Sequence, residues 1–284
     1  MIDMFPLEAS VGQLLFLGVF TFLLGIFAGM VGVALGAVRL PIMLALGFNP
    51  VIAAGTNLGV TILGGSAAAL PHWRDGRVVG RVVVVIGVPA VVGALLGGLF
   101  ADDVKAWVLL ALIAGLTIVS SAISFWQWWR EVRTAEKTQA AEPSRTPSNV
   151  DSKKGVRLNS RNQSLYGGIV LIIGLVGGAV GLILAVLRFP ILVNVLRMDP
   201  RYAAGTNNAI GVLAGVFGFV GHAVNMNFDV AVLVVMGITG MAGSFIGARQ
   251  TGRVSAATMR LMIALLLAGT SPIVVVRIFS EYPN

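Results

Sequence analysis

The sequence predicts an all-α polytopic membrane protein built from two repeats. Of its 284 residues, 57% are hydrophobic and only 11% are charged, and the mean hydropathy is +0.91. Soluble domains contain about 45–50% apolar and 25% charged residues, so a water-soluble globular protein is excluded. The prediction of two repeats follows from Gly, Arg, Pro, Thr and Asn residues that recur at a spacing of about 150 residues.

Hydrophobic runs account for most of the chain. A transmembrane helix needs about 20 mostly apolar residues, and eight runs have that character. They cover residues 11–38, 51–70, 82–100, 106–129, 165–187, 202–221, 230–248 and 257–278. Two further apolar pieces, at 41–47 and 190–196, are too short to span a bilayer.

Residues 130–164 differ in kind from these runs. They include eight basic and four acidic residues together with Ser, Pro and Asn, which predicts a disordered basic linker. The linker separates a first transmembrane repeat at 11–129 from a second at 165–279. The net charge of +8 comes from Lys and Arg in short loops and in this linker. Because such residues set membrane orientation, we expect no nucleic-acid partner and a cytoplasmic linker.

The two halves repeat each other in one register. The shared positions include Gly residues, an Arg, two Pro residues and the segment Ala-Ala-Gly-Thr-Asn, which occurs at 53–57 and again at 203–207. Internal duplication is a common plan of secondary transporters. At an offset of 149, Gly25, Gly29, Gly32, Arg39 and Pro41 recur as Gly174, Gly178, Gly181, Arg188 and Pro190; from Pro50 the offset is 150.

Loop charges predict that the halves are inverted. The loop at 71–81 has three Arg and its counterpart at 222–229 has none, whereas the loop at 101–105 is acidic and its counterpart carries Arg249 and Arg253. Inversion needs an odd number of crossings per half. We therefore expect the first run of each half to form a broken or re-entrant hairpin near the midplane, with both termini outside. Four plain crossings in a parallel repeat are the alternative.

The expected helix breaks follow from glycine and proline. The first break is predicted around Gly29, Gly32 and Gly36 before Pro41, and the second around Gly178 and Gly181 before Pro190. Arg39 and Arg188 lie between a break and its proline, within apolar sequence. A charge there costs at least about 2.5–3.5 kcal/mol on insertion scales, so it needs a partner or a function. Each Arg binds an anion or else snorkels or caps a broken helix end.

Thr and Asn residues add neutral hydrogen-bonding groups after each repeated proline. Pro50 and Pro200 are predicted to begin helices, and Thr56, Asn57, Thr206, Asn207 and Asn208 follow within two turns. These five side chains either contact a substrate or bond across helices. His72 and His222 end the same runs and are candidates for proton coupling or for an interfacial role. No acidic residue lies in the middle of a run, no cysteine is present and the His spacing fits no metal site, so we expect no enzyme activity and no cofactor or metal.

The duplicated pattern of glycine, proline and Gly-Thr-Asn resembles the sulfite exporter TauE/SafE family, also called toluene-sulfonate uptake permeases. The first copy reads Gly25-x3-Gly29-x2-Gly32, then Pro41, then Pro50-x2-Ala-Ala-Gly-Thr-Asn57, and the second copy runs through Asn207. The resemblance implies a prokaryotic inner-membrane permease for sulfur-containing anions such as sulfite or sulfonates. The sequence departs from the family pattern at Arg39 and Arg188, where many members have an aliphatic residue. Members that use cysteines are a poor guide to this chain.

We therefore predict a secondary carrier that binds a small sulfur-containing anion between the repeats and works by alternating access. Its expected partners are the anionic substrate, the lipid bilayer and, for uptake, H⁺ or Na⁺. The sequence leaves the coupling ion, transport direction and oligomeric state open. The alternatives are an anion channel of the same architecture and an intramembrane enzyme or assembly factor.

Overall fold

A computed structural model describes residues 9–31, 35–138, 160–249 and 256–281. Throughout these ranges the secondary structure is helical, with no strand. Six of the described helices are long and apolar enough to cross a membrane. The all-α polytopic class predicted from hydropathy is confirmed.

Five helices form the described part of the first half. The fourth helix, α4 (Gly80–Leu99), contains a π-helical turn at Val83–Gly87 and is followed by a 3₁₀ turn at Ala101–Asp103. Helix α3 begins at the repeated proline, as predicted, where the side chain of Asn49 accepts a hydrogen bond from the Val51 N–H. The helices are α1 (Val11–Val31), α2 (Gly36–Ala45), α3 (Pro50–Arg74), α4 (Gly80–Leu99) and α5 (Ala106–Thr138).

The second half repeats this order in its described residues. Each helix corresponds to the one five places earlier, and α8 again begins at the repeated proline. Helix α7 continues into a π-helical turn at Ile191–Val195. The helices are α6 (Ser160–Val180), α7 (Ala185–Pro190), α8 (Pro200–Val224), α9 (Val230–Ala248) and α10 (Ala256–Glu281).

The first run of each half is divided into two helices. Helix α6 ends at Val180 and is followed by Gly181, whose φ of +74° suits glycine, and the Leu182 N–H closes the end by donating to the Gly177 carbonyl at 2.8 Å. A side chain at Gly181 would also overlap the backbone of Ala54. In the first half, α1 ends at Val31 and α2 begins at Gly36; Gly32 lies outside the described residues.

The predicted linker at 130–164 is wrong at both edges, because those edges are helical. Helix α5 continues to Thr138, and α6 begins at Ser160. In α5 the guanidinium of Arg130 lies over the Trp126 ring, with its Cζ 4.6 Å from the ring centroid. Cation–π contacts one turn apart favour continuation of the helix beyond the hydrophobic run. Residues 139–159 lie outside the described part.

In each half, the first helix packs against the fourth helix of the other half. Helix α1 packs along α9, and its counterpart α6 packs along α4. Glycines make both contacts close: a Cβ on Gly25 would lie 2.6 Å from the Gly240 carbonyl oxygen, and one on the equivalent Gly174 would overlap the Ala90 carbonyl oxygen. Small residues at such positions let membrane helices approach to backbone contact.

Equivalent helices α3 and α8 cross each other in opposite directions. A Cβ on Gly218 would lie 3.2 Å from Leu58, and one on Gly215 would lie 3.1 Å from Ile62. Residues later in α3 thus meet residues earlier in α8. The two helices that carry the Gly-Thr-Asn segments are therefore antiparallel.

The outer surface is apolar. Large side chains such as Leu15 (67% exposed), Ile238 (65%) and Val276 (71%) face outward along the helices. Exposed apolar area of this extent is not tolerated in water. The helical bundle is thus surrounded by lipid, with its polar side chains directed inward.

Candidate substrate site

The two repeated arginines lie inside the helical bundle. Arg39 on α2 is 7% exposed and Arg188 on α7 is 2% exposed. Among the described residues, no carboxylate forms an ion pair with either guanidinium. Two positive charges are thus buried without an acidic partner, which is costly unless another group compensates them.

In the first repeat, Arg39 is held by two residues one turn apart on α3. Its Nε donates to Asn57 Oδ1 at 3.2 Å, and its Nη2 donates to Thr61 Oγ1 at 2.6 Å. The Thr61 hydroxyl donates in turn to the Asn57 carbonyl at 2.6 Å. This side of the guanidinium therefore has a neutral acceptor for both of its nitrogens.

Asn57 also joins the two helix breaks. Its Nδ2 donates to the Gly36 carbonyl at 3.1 Å and to the Gly181 carbonyl at 2.9 Å. Gly36 begins α2, and Gly181 follows α6 in the other half. The Gly181 carbonyl follows the last turn of α6, where carbonyl groups have no intrahelical partner, so the Asn57 amide satisfies it and ties this end of α6 to the start of α2.

In the second repeat, Arg188 has only half of this arrangement. Its Nε donates to Asn207 Oδ1 at 3.3 Å, and Asn207 Nδ2 donates to the Ala185 carbonyl at 2.8 Å. The position equivalent to Thr61 is Gly211, and a Cβ there would lie 3.4 Å from Arg188 Nη2. This Nη2 is buried and has no hydrogen-bond partner.

A cavity lies beside the Arg188 guanidinium. It is small, with a volume of about 10 Å³, which is room for about one water molecule, and it is otherwise lined by glycine and aliphatic residues. It lies where α3, α6 and α8 meet the break after α6, and its lining includes Leu58, Gly177, Ile183, Ala214 and Gly215. The cavity thus lies between the repeats.

Packing contacts relate the surroundings of the two guanidinium groups along α3. Gly65 packs on Val212, next to Gly211, and a Cβ on Gly211 would lie 3.4 Å from Arg188 Nη2. Thr61, which binds Arg39, is four residues before Gly65, or about 6 Å along the helix axis.

Thr56 and Thr206 have a different position from the asparagines that follow them. Thr56 Oγ1 accepts from the Asp229 N–H at 2.9 Å, and Thr206 Oγ1 accepts from the Val79 N–H at 3.0 Å. Val79 and Asp229 are equivalent residues in the loops between the third and fourth helices of each half. Each threonine thus anchors the loop of the opposite half.

The preceding glycines make room for these loops. A Cβ on Gly55 would overlap the Asn227 carbonyl oxygen, and one on Gly205 would lie 2.8 Å from the Arg77 carbonyl oxygen. The segment Gly-Thr-Asn therefore has three separate structural contacts in each half. Gly admits a loop, Thr binds it, and Asn binds the buried arginine and a helix break.

The remaining predicted residues lie around this centre. Asn208 is partly buried and follows Asn207 on α8. Gly29 lies inside α1, and Gly178 lies inside α6, where it packs on Ala94. Pro41 lies inside α2, and Pro190 is the last residue of α7. His222 is fully buried, and its Nε2 donates to the Gly178 carbonyl at 2.8 Å, while its Nδ1 has no partner. His72 lies in the last turn of α3, and its side chain is outside the described part.

Thr61 and Gly211 were missed by the sequence analysis. The signal was available, because the copies align at an offset of 150 and differ at this position. A repeat is recognised by the residues that its copies share, whereas this pair is marked only by a difference between the copies.

Comparisons with known proteins agree with this architecture. The sequence model of the sulfite exporter TauE/SafE family matches residues 17–271. The chain belongs to this family. As a TauE/SafE member, it is a multi-pass membrane transporter, and the resemblance seen in the repeated glycines and Gly-Thr-Asn segments is confirmed.

One curated relative also matches the TauE/SafE chain. The probable membrane transporter protein YdhB of Bacillus subtilis (strain 168) is 24% identical over 246 residues, which cover 86% of this chain and 93% of that protein. No solved structure matches the chain. Membership of a transporter family is consistent with the expectation that the protein is not an enzyme.

Proposed function

We propose that this protein is a secondary carrier for small sulfur-containing anions, such as sulfite or organosulfonates. The observation that carries the proposal is the pair of buried guanidinium groups, Arg39 and Arg188, without a carboxylate partner among the described residues. A bound oxyanion compensates such charges and accepts two parallel hydrogen bonds from the N–H groups of a guanidinium. The family description supplies sulfite as the first candidate substrate.

The carrier works by alternating access between two inverted repeats. Inversion is supported by the antiparallel crossing of α3 and α8, which carry the same Gly-Thr-Asn segment. A hairpin of α1 and α2 is supported by Gln13 at the start of α1, whose Nε2 donates to the Leu46 carbonyl just after α2 at 2.8 Å. With this hairpin, three crossings remain in each half, which is the odd number that inversion needs.

The membrane orientation places the linker in the cytoplasm and both termini outside. The basic loop that contains Arg74, Arg77 and Arg81 is then also cytoplasmic. Because the chain has no cysteine, single cysteines can be introduced at residues 76 and 226 and labelled with an impermeant maleimide. Labelling of residue 76 only from the cytoplasmic side and of residue 226 only from outside is expected; labelling of both from one side contradicts inversion.

Sulfite flux into proteoliposomes tests the substrate. Arg39→Gln and Arg188→Gln are each expected to reduce flux at least tenfold, whereas Arg74→Gln, at the exposed end of α3, is expected to leave it unchanged. Unchanged flux in both buried-site variants, at equal protein levels, removes the arginines from the mechanism. Absence of sulfite and sulfonate flux by the wild type contradicts the assigned substrate class.

Carrier and channel differ in kinetics. A carrier saturates and shows counterflow, whereas a channel of the same architecture gives resolvable single-channel currents. With a negative interior, each exported negative charge gains about 2.3 kcal/mol per 100 mV, so export needs no coupling ion. Uptake needs H⁺ or Na⁺, and His222 is the candidate proton group. Loss of the response to a pH gradient in His222→Gln, with voltage-driven flux retained, supports that role; an unchanged response excludes it.

A further inference from the structure

The two copies of the arginine site are not equivalent. We propose that the anion docks on Arg188 Nη2 in the second repeat, beside the small cavity that Arg188 lines, and that Arg39 is a positioning residue of the first repeat. This inference rests on the proposed function, and it assigns the binding role to one copy of the site.

The donors of Arg39 that face α3 are already in use. Nε is bound by Asn57 and Nη2 by Thr61, at 3.2 and 2.6 Å. The Thr61 hydroxyl accepts from Arg39 and gives its own proton to the Asn57 carbonyl. An anion at this edge of the guanidinium would have to displace the hydroxyl and leave polar groups without partners, which costs about 1–3 kcal/mol for each.

Arg188 presents the corresponding donor without a competitor. Its Nη2 has no partner although the side chain is only 2% exposed, and the residue lines a small cavity. Gly211 removes the side chain that would otherwise occupy this donor. A buried N–H without a partner loses hydration without gaining a bond, so an acceptor of negative charge is favoured there.

The lining of the cavity restricts the ligand. Apart from Arg188, the residues that line it are Gly, Ala, Leu and Ile, and none is acidic. Its volume is about 10 Å³, so it holds an anion only after the surrounding helices move apart, and a small anion requires the least movement. The site therefore favours a small oxyanion such as sulfite. A zwitterion such as taurine is disfavoured, because its ammonium group would find no carboxylate.

Exchange of the distinguishing residues tests the assignment. Sulfite affinity is measured by calorimetry and by the KM of flux, with the full-length protein, in Gly211→Thr and Thr61→Gly. Gly211→Thr gives Arg188 the hydroxyl that Arg39 has and is expected to weaken sulfite binding at least tenfold. Thr61→Gly is expected to keep the affinity within about threefold.

Two further variants separate hydrogen bonding from packing. Gly211→Ala adds a methyl group 3.0 Å from Ile183 Cγ2 but no acceptor, and it is expected to bind sulfite within about threefold of the wild type. If Gly211→Thr fails to fold, Gly211→Ser supplies the hydroxyl in a smaller side chain, with the same tenfold loss expected.

The outcomes discriminate clearly. Wild-type affinity in both hydroxyl variants overturns the assignment to Arg188, as does an equal loss in Gly211→Ala or in Thr61→Gly. Tighter binding of taurine than of sulfite overturns the assigned ligand chemistry. Absence of any sulfite or sulfonate binding by the wild type refutes the proposed function itself, which is distinct from the failure of this inference.

Discussion

The contact between α1 and α9 gives a prediction that can be worked from the structure. Replacing Gly25 by Ala places a methyl group 2.6 Å from the Gly240 carbonyl oxygen and 3.2 Å from the Gly243 Cα. Carbon atoms in favourable contact are about 3.5–4.0 Å apart, so α1 must retreat by several tenths of an ångström. Because the obstacle is backbone, no side-chain rotation relieves it. Overpacking of this kind costs about 1–3 kcal/mol.

Thermal unfolding in detergent checks this value. On the soluble-protein scale of about 2–4 °C per kcal/mol, Gly25→Ala is expected to lower Tm by roughly 2–12 °C. Gly18→Ala, on the same helix, meets side-chain atoms only, Val235 Cγ1 at 3.0 Å and Thr239 Cγ2 at 3.7 Å, and is expected to lower Tm less. Gly115→Ala has no neighbour within 4 Å and should be neutral or slightly stabilising. An unchanged Tm in Gly25→Ala would refute close helix contact as the reason for this glycine.

Further predictions concern the two side chains of the second Gly-Thr-Asn segment. Thr206→Val removes the acceptor of the partly buried Val79 N–H and is expected to destabilise by about 1 kcal/mol, measured as a lower Tm, whereas Thr206→Ser keeps the acceptor and should keep the Tm. Asn207→Asp places a carboxylate against Arg188 and is expected to reduce sulfite affinity at least tenfold without lowering Tm, measured by calorimetry and thermal unfolding. Wild-type affinity in Asn207→Asp would contradict charge compensation by the bound anion.

Much of the fold could be predicted because it depends on local chemistry. The prolines at 50 and 200 begin helices, and Gly181 ends one, since these residues have backbone preferences that operate in any context. Hydropathy located the helices, because lipid requires long apolar segments. It misjudged the edges of the linker, where Trp–Arg contacts prolong a helix beyond the apolar run.

The roles within the site depend on tertiary contacts and were harder to predict. The sequence grouped Thr56 with Asn57, but only the packing of the halves shows that one binds a loop N–H and the other a guanidinium. Neighbouring residues on a helix point about 100° apart, so adjacent polar residues need not face the same partner. Nothing in the repeat itself indicated which loop would reach Thr56.

An internal duplication also limits what shared residues can reveal about function. Packing gives Asn57 and Asn207 similar environments, so both bind arginine whether or not either site holds a ligand. A single substrate molecule needs only one complete binding site, so the second copy can become structural. The positions at which the copies differ are therefore the informative ones. Thr61 binds one buried arginine, and Gly211 leaves Nη2 of its counterpart without a partner, which is why we assign the anion to Arg188.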